Sequence, residues 1–86
     1  MRETPQARLK RLAMRSARRG IKEMDLILGA YARDRLAAMD EAALQLYDAM
    51  LSENDQDLYQ WVTGQASAPS RFADLITDIS AHARGG

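Results

Sequence analysis

The spacing of apolar residues follows a helical period along nearly the whole chain. Thr4 followed by Pro5 predicts an N-cap and a first helical residue, and the pattern then runs to Arg18 or Arg19. Gly20 interrupts it where a glycine commonly follows the end of a helix. The narrow apolar stripe of this first helix comprises Leu9, Leu12, Ala13 and Ser16.

A second helix is predicted by apolar residues spaced three and four apart, and Ile27 widens its stripe, so it is expected to be central. The stripe comprises Ile21, Met24, Leu28 and Tyr31. The pattern fades between Arg35 and Ala38. Asp40 is then expected to cap a third helix, whose buried face comprises Ala43, Leu44, Tyr47, Met50 and Leu51.

Two shorter helices complete the pattern. Asp55 is expected to cap the fourth helix and Gly64 to close it, with an apolar face of Leu58, Trp61 and Val62. A loop comes next, at residues 65–70. The fifth helix carries Phe72, Leu75, Ile76 and Ile79.

No stretch alternates with a period of two, so the expected fold is all-α, a compact five-helix bundle of short helices. Helices under about 12–15 residues are marginal on their own, so stability must come from a shared core. That core is expected around Leu28, Tyr31, Tyr47, Leu58 and Trp61. With 86 residues the chain has room for one domain, residues 1–86, whose ends at 1–4 and 83–86 are expected to be flexible.

Composition argues against self-contained catalysis. The chain has no cysteine, which excludes disulfides and thiolate metal sites, and its one histidine is His82. A chain this small rarely encloses a substrate pocket of useful size. His82 is expected either near the negative end of the last helix dipole or in solvent. We therefore expect no enzyme activity and no metal site.

Charge is divided unevenly along the chain. Residues 1–23 carry eight Lys or Arg against two Glu, and residues 24–86 carry four Arg against ten carboxylates. The basic end is suited to phosphates or an acidic protein surface, although a solvated face has the same pattern. A nucleic-acid-binding helix is the main rival. It is disfavoured because the acidic remainder would repel a phosphate backbone and the basic segment lacks side chains that read bases. No apolar run is long enough for membrane insertion.

The segment Arg18-Arg19-Gly20-Ile21-Lys22-Glu23-Met24-Asp25 joins the basic end to the acidic remainder. Arg19 and Glu23 are four apart, but such a helical pair contributes only about 0.2–0.5 kcal/mol, and the basic-before-acidic order is the weaker one. Gly20 leaves backbone open to another chain. These residues together suit a docking patch.

This segment and the residues after it resemble the SdhE family (also called YgfY), small FAD assembly factors of succinate dehydrogenase. The resemblance continues through Leu26-Ile27-Leu28 and Tyr31, and it spans residues 8 to about 80. Downstream it is carried by Met39-Asp40-Glu41, Leu44, Tyr47, Leu51, the run Asp55-Gln56-Asp57-Leu58-Tyr59-Gln60-Trp61, and Gly64. The last run makes the match far more specific than R-G-x-x-E alone.

The resemblance implies a five-helix bundle that is not itself an enzyme. It implies binding to the flavoprotein subunit of succinate dehydrogenase or fumarate reductase and promotion of covalent FAD attachment to a histidine of that subunit. FAD would be handled through the partner, with no tightly bound cofactor. A monomer is expected, cytoplasmic in a bacterium or in the mitochondrial matrix of a eukaryote. An antitoxin-type protein-binding role is a further alternative.

The partner-binding positions implied by the resemblance are Arg18, Arg19, Gly20, Glu23 and Asp25. Our hypothesis is that Arg18 and Arg19 engage acidic groups or carbonyls on the partner. Glu23 would then order the region in which the flavin–histidine bond forms.

Overall fold

The computed structural model describes residues 3–85; Met1, Arg2 and Gly86, which include parts of the two ends expected to be flexible, lie outside them. Over the described residues the secondary structure is entirely helical, which confirms the all-α prediction. The five α-helices are α1 (Pro5–Ala17), α2 (Lys22–Arg35), α3 (Glu41–Met50), α4 (Asp55–Thr63) and α5 (Ala73–Ala83). Short 3-10 helices, Leu36–Ala38 and Ser70–Phe72, follow α2 and precede α5.

The first helix begins as predicted and ends differently. The Thr4 side chain accepts a hydrogen bond from the Ala7 amide at 3.1 Å, and Pro5 is the first helical residue. The helix ends at Ala17, earlier than expected. Gly20 is not left-handed, because positive φ occurs among the described residues only at two glycines further along the chain. The residue that caps α1 is Arg18, so the prediction that Gly20 directly follows the end of the helix is wrong.

The predicted cap of α3 is confirmed, and the predicted cap of α4 is wrong. Asp40 accepts from the Ala43 amide at 2.8 Å, as expected. The cap of α4 is Asn54, whose side chain accepts from the Gln56 amide at 2.7 Å. Asp55 is instead the first residue of α4, and its carboxylate points toward the α1–α2 connection. At the other end of α4, Gly64 is left-handed with φ +83°, as predicted.

The core lies around α2, which packs against α1, α4 and α5 and is central as expected. The rings of Tyr31 and Tyr47 stack with centroids 5.9 Å apart. Burial raises the pKa of Tyr47 to about 12. Its hydroxyl lies 2.6 Å from the Ser16 hydroxyl, which explains a serine on the buried stripe of α1. Trp61 is only half-buried, and Ala13 is exposed, contrary to its predicted place on that stripe.

Over residues 3–85, no helix combines the length and the apolar character needed to cross a membrane.

Candidate docking surface at the α1–α2 connection

Arg19 lies in the connection between α1 and α2, and its guanidinium points into the protein. Only 9% of its side chain is exposed. Nε donates to Asp55 Oδ1 at 2.6 Å, Nη1 to the Leu51 carbonyl at 2.9 Å and Nη2 to the Glu53 carbonyl at 3.2 Å. The two carbonyls lie just after the C-terminal end of α3, where a positive charge is favourable. Arg19 thus fastens the α1–α2 connection to the α3–α4 connection.

The backbone beside Arg19 is fixed by two carboxylates of the same chain. The Gly20 amide donates to Asp55 Oδ2, and the Arg19 amide donates to Asp25 Oδ1. A Cβ on Gly20 would lie 3.1 Å from Asp55 Oδ2. The sequence analysis expected another chain to approach the Gly20 backbone closely. Asp55 of the same chain makes that approach instead. We call Arg19, Gly20, Asp25 and Asp55 the clamp.

The clamp overturns one expectation about Arg19 and bears on a second, which stays a prediction. The helical pair of Arg19 with Glu23 does not form, because Arg19 lies outside both helices and pairs with Asp55. The hypothesis that Arg19 reaches acidic groups on a partner requires a free guanidinium, whereas three of its nitrogens already donate within the chain. Arg19 and Asp25 therefore support the surface from within.

Arg18 and Glu23 behave differently from the clamp. Both are exposed, and neither forms a side-chain hydrogen bond or ion pair with another residue of the 3–85 range. Glu23 stands in the first turn of α2, where the helix dipole favours a carboxylate. Three residues later Leu26 is 66% exposed on the same side of the helix. We call Arg18, Glu23 and Leu26 the docking face.

Sequence reasoning missed Leu26 as a site residue, although a signal was present. The inward stripe of α2 is Met24, Leu28 and Tyr31, and Leu26 does not belong to it. Asp55 was also missed, since it had been assigned to a cap. Nothing local in the sequence pairs it with Arg19, 36 residues away.

All three arginines of α1 are paired with carboxylates of the same chain. Arg8 lies 2.7 Å from Glu41, and Arg11 lies 2.9 Å from Asp48, which also pairs with Arg15. Hydrogen bonding to Arg11 lowers the pKa of Asp48, and hydrogen bonding to Arg8 lowers the pKa of Glu41. We call Arg8, Arg11 and Arg15 the inner row.

This pairing bears on the nucleic-acid alternative. That alternative needs the basic residues between Arg8 and Lys22 to contact phosphates, but the inner row and Arg19 are already matched by carboxylates. Lys10, Arg18 and Lys22 remain without an ion pair over residues 3–85. Three cations give only a small electrostatic footprint for a phosphate backbone.

His82 lies in the last turn of α5, one of its two expected positions, and is not free in solvent. Its Nε2 lies 2.8 Å from Asp34 Oδ2, and its ring meets the Tyr31 ring edge-on at 5.5 Å. The hydrogen bond to His82 lowers the pKa of Asp34. Among the residues the structure describes, no group of three or more His, Asp or Glu side chains is arranged to hold a metal ion.

These features define a small helical protein whose candidate site is a protein-facing surface. Comparison with known proteins then identifies the family. Residues 10–83 match the family model described as flavinator of succinate dehydrogenase. The chain belongs to that family, which confirms the resemblance seen in the sequence.

Curated relatives carry a consistent name. The chain is 34% identical over 84 residues to "succinate dehydrogenase assembly factor 2, mitochondrial" of Schizosaccharomyces pombe, covering 95% of this chain and 60% of that protein. It is 39% identical over 70 residues to the protein of the same name in Schizosaccharomyces japonicus, covering 81% and 49%. The Dictyostelium discoideum protein of that name is 30% identical over 73 residues, covering 85% and 52%. The chain spans about half the length of these relatives.

Proposed function

We propose that this protein is an assembly factor that binds the flavoprotein subunit of succinate dehydrogenase or fumarate reductase. It promotes the covalent attachment of FAD to a histidine of that subunit. The observation that carries this proposal is the family match over residues 10–83, which includes the clamp and the docking face. The protein is not an enzyme in its own right and binds no cofactor tightly, since FAD is held by the partner.

The two parts of the site divide the work. Arg18 and Glu23 offer one charge of each sign, and Leu26 adds an apolar contact, a combination suited to a mixed protein surface. The clamp fixes the connection from which these side chains project. The chemistry belongs to the flavin and the partner's histidine. The assembly factor selects the conformation of the flavoprotein in which the two are correctly placed.

The protein acts as a monomer in the compartment where the flavoprotein receives its FAD. That compartment is the mitochondrial matrix in a eukaryote, as the names of the relatives suggest, and the cytoplasm in a bacterium.

The test is in-gel flavin fluorescence of the flavoprotein subunit in the native organism, with and without this gene. Deletion is expected to abolish or strongly reduce the covalent flavin signal, and the wild-type gene to restore it. Unchanged fluorescence after deletion would contradict the proposed function.

Within that assay Glu23→Gln isolates the docking face. The substitution keeps the shape of the side chain and removes its charge, and we expect it to restore little fluorescence. Asp74→Asn is the matched control, because Asp74 is also an exposed carboxylate in a first helical turn, that of α5. Full restoration by Glu23→Gln would remove Glu23 from the docking face. Gly20→Arg is a less selective test, since its Cβ would press on Asp55 and disturb the clamp.

A further inference from the structure

A second row of side chains runs along α1 beside the inner row. Lys10 and Met14 are four apart on one side of α1, and Arg18, four residues further on, follows them as the C-cap residue of that helix. All three are exposed, Met14 at 44%. With Ala7, Arg11, Arg15 and Arg19 they line an open groove of about 550 Å³. We call Lys10, Met14 and Arg18 the outer row.

The charges of the outer row are not matched by this chain. No carboxylate occurs within α1, so Lys10 and Arg18 have no acidic neighbour three or four residues away in that helix. Neither one pairs with a carboxylate elsewhere in residues 3–85, whereas every member of the inner row does. The backbone positions of Lys10 and Arg18 are about 12 Å apart along the axis at 1.5 Å per residue, and the exposed apolar side chain of Met14 lies between them.

We propose that the outer row is a second contact area for the partner flavoprotein and that it docks an acidic segment of that protein. The segment would present two carboxylates about 12 Å apart with an apolar side chain between them. In an extended chain this corresponds to acidic, apolar and acidic residues at alternate positions, since four residues span about 13 Å. The assignment rests on the proposed function, from which the identity of the partner is taken.

Two observations favour a protein segment over other anions. Met14 offers apolar contact between the cations, and a phosphate backbone has no apolar group with which to use it. Arg18 also belongs to the docking face, so a partner that contacts Arg18 there already reaches the C-terminal end of the outer row.

The test measures binding of the purified full-length protein to its flavoprotein subunit. Lys10→Glu sets a carboxylate against the acidic segment, and Met14→Asp does the same at the centre of the row. Each is expected to weaken binding by about tenfold or more, because like charges brought together across an interface are costly. Arg33→Glu reverses an exposed cation on α2, outside the outer row, and is expected to bind as wild type.

The outcomes separate this inference from the proposed function. If the wild-type protein binds, Glu23→Gln weakens binding, and Lys10→Glu and Met14→Asp bind normally, the outer row is not a contact area and the proposed function stands. If the wild-type protein does not bind the flavoprotein, the proposed function fails, and the assignment of the outer row to that partner fails with it. Tight binding to duplex DNA or to anionic lipid vesicles that Lys10→Glu abolishes would overturn the assignment to an acidic protein segment. Unfolding of each variant, monitored by circular dichroism, checks that these exposed substitutions leave the fold intact.

Discussion

The inner and outer rows both present basic side chains on neighbouring sides of α1, and they differ in what lies opposite them. The inner row faces Glu41 and Asp48 on α3, and all its arginines are paired. The outer row faces solvent, and its two charges are free over residues 3–85. Most of the positive charge of the N-terminal segment is therefore neutralised by carboxylates of the same chain, and only a small part of it is available to a partner.

The same contrast separates two adjacent arginines. Arg18 is exposed and belongs to the outer row, whereas Arg19 lies in the clamp with only 9% of its side chain exposed. A sequence motif that contains both therefore joins a structural residue to a surface residue. Its two arginines should respond to substitution in different ways, and the comparison can be tested on that basis.

The largest effect is expected for Arg19→Leu. Removing one member of a buried ion pair leaves the other charge uncompensated, and because Asp55 retains 16% exposure we expect a loss of about 2–4 kcal/mol in the free energy of unfolding. In a domain of this size that lowers Tm by more than about 8 °C. Urea or thermal unfolding measures the change.

Arg18→Leu is the matched control for Arg19→Leu. Its side chain is exposed and has no ion pair in residues 3–85, so the free energy of unfolding should change by less than about 0.5 kcal/mol. Equal losses at the two positions would show that the clamp does not distinguish them.

A smaller effect is expected for Asp48→Asn in the inner row. Asp48 accepts hydrogen bonds from Arg11 and Arg15 but is 28% exposed, so water screens the interaction. We expect a loss of about 1–2 kcal/mol at pH 7. Asp74→Asn on α5, an exposed carboxylate that accepts no side-chain hydrogen bond from residues 3–85, should change the stability by less than about 0.5 kcal/mol.

The same carboxylate makes stability depend on pH. The pKa of Asp48 in the folded protein lies below its ordinary value of 3.8, because Arg11 donates to the ionised form. Its contribution is therefore fully present above about pH 5 and is lost as the pH falls through the lowered pKa. Urea midpoints between pH 7 and pH 3 should fall more steeply for the wild-type protein than for Asp48→Asn. Parallel curves would mean that Asp48 gains nothing from the inner row.

Much of the fold could be predicted because its signals are local. Apolar spacing located the five helices, and Thr4, Asp40 and Gly64 marked helix ends through their own backbone chemistry. The cap of α4 was misplaced by one residue because Asn54 and Asp55 both suit that position. Tertiary contact with Arg19 decided between them.

Less of the site could be predicted, because its contacts join residues that are far apart in the sequence. Sequence placed Arg18 and Arg19 together, and only the position of α4 reveals that one of them is buried. Exposure of Leu26 and Met14 likewise depends on where the neighbouring helices lie. Charge counting detected the basic end, but it could not show which charges α3 neutralises.

The smallest effects on the free energy of unfolding are expected at two glycines with unlike surroundings, and the two effects should have opposite signs. Gly29 lies inside α2, where the nearest atoms to an added Cβ are 3.9–4.0 Å away, so Gly29→Ala should stabilise the protein by up to about 1 kcal/mol. At Gly20 the added Cβ meets the Asp55 carboxylate at 3.1 Å, and that carboxylate is held by Arg19. Gly20→Ala should therefore destabilise by about 1 kcal/mol once the crowding outweighs the gain from a stiffer unfolded chain. Thermal unfolding of the two variants gives the signs directly. Stabilisation by Gly20→Ala would mean that Asp55 moves aside at little cost, and the clamp would then be looser than its hydrogen bonds indicate.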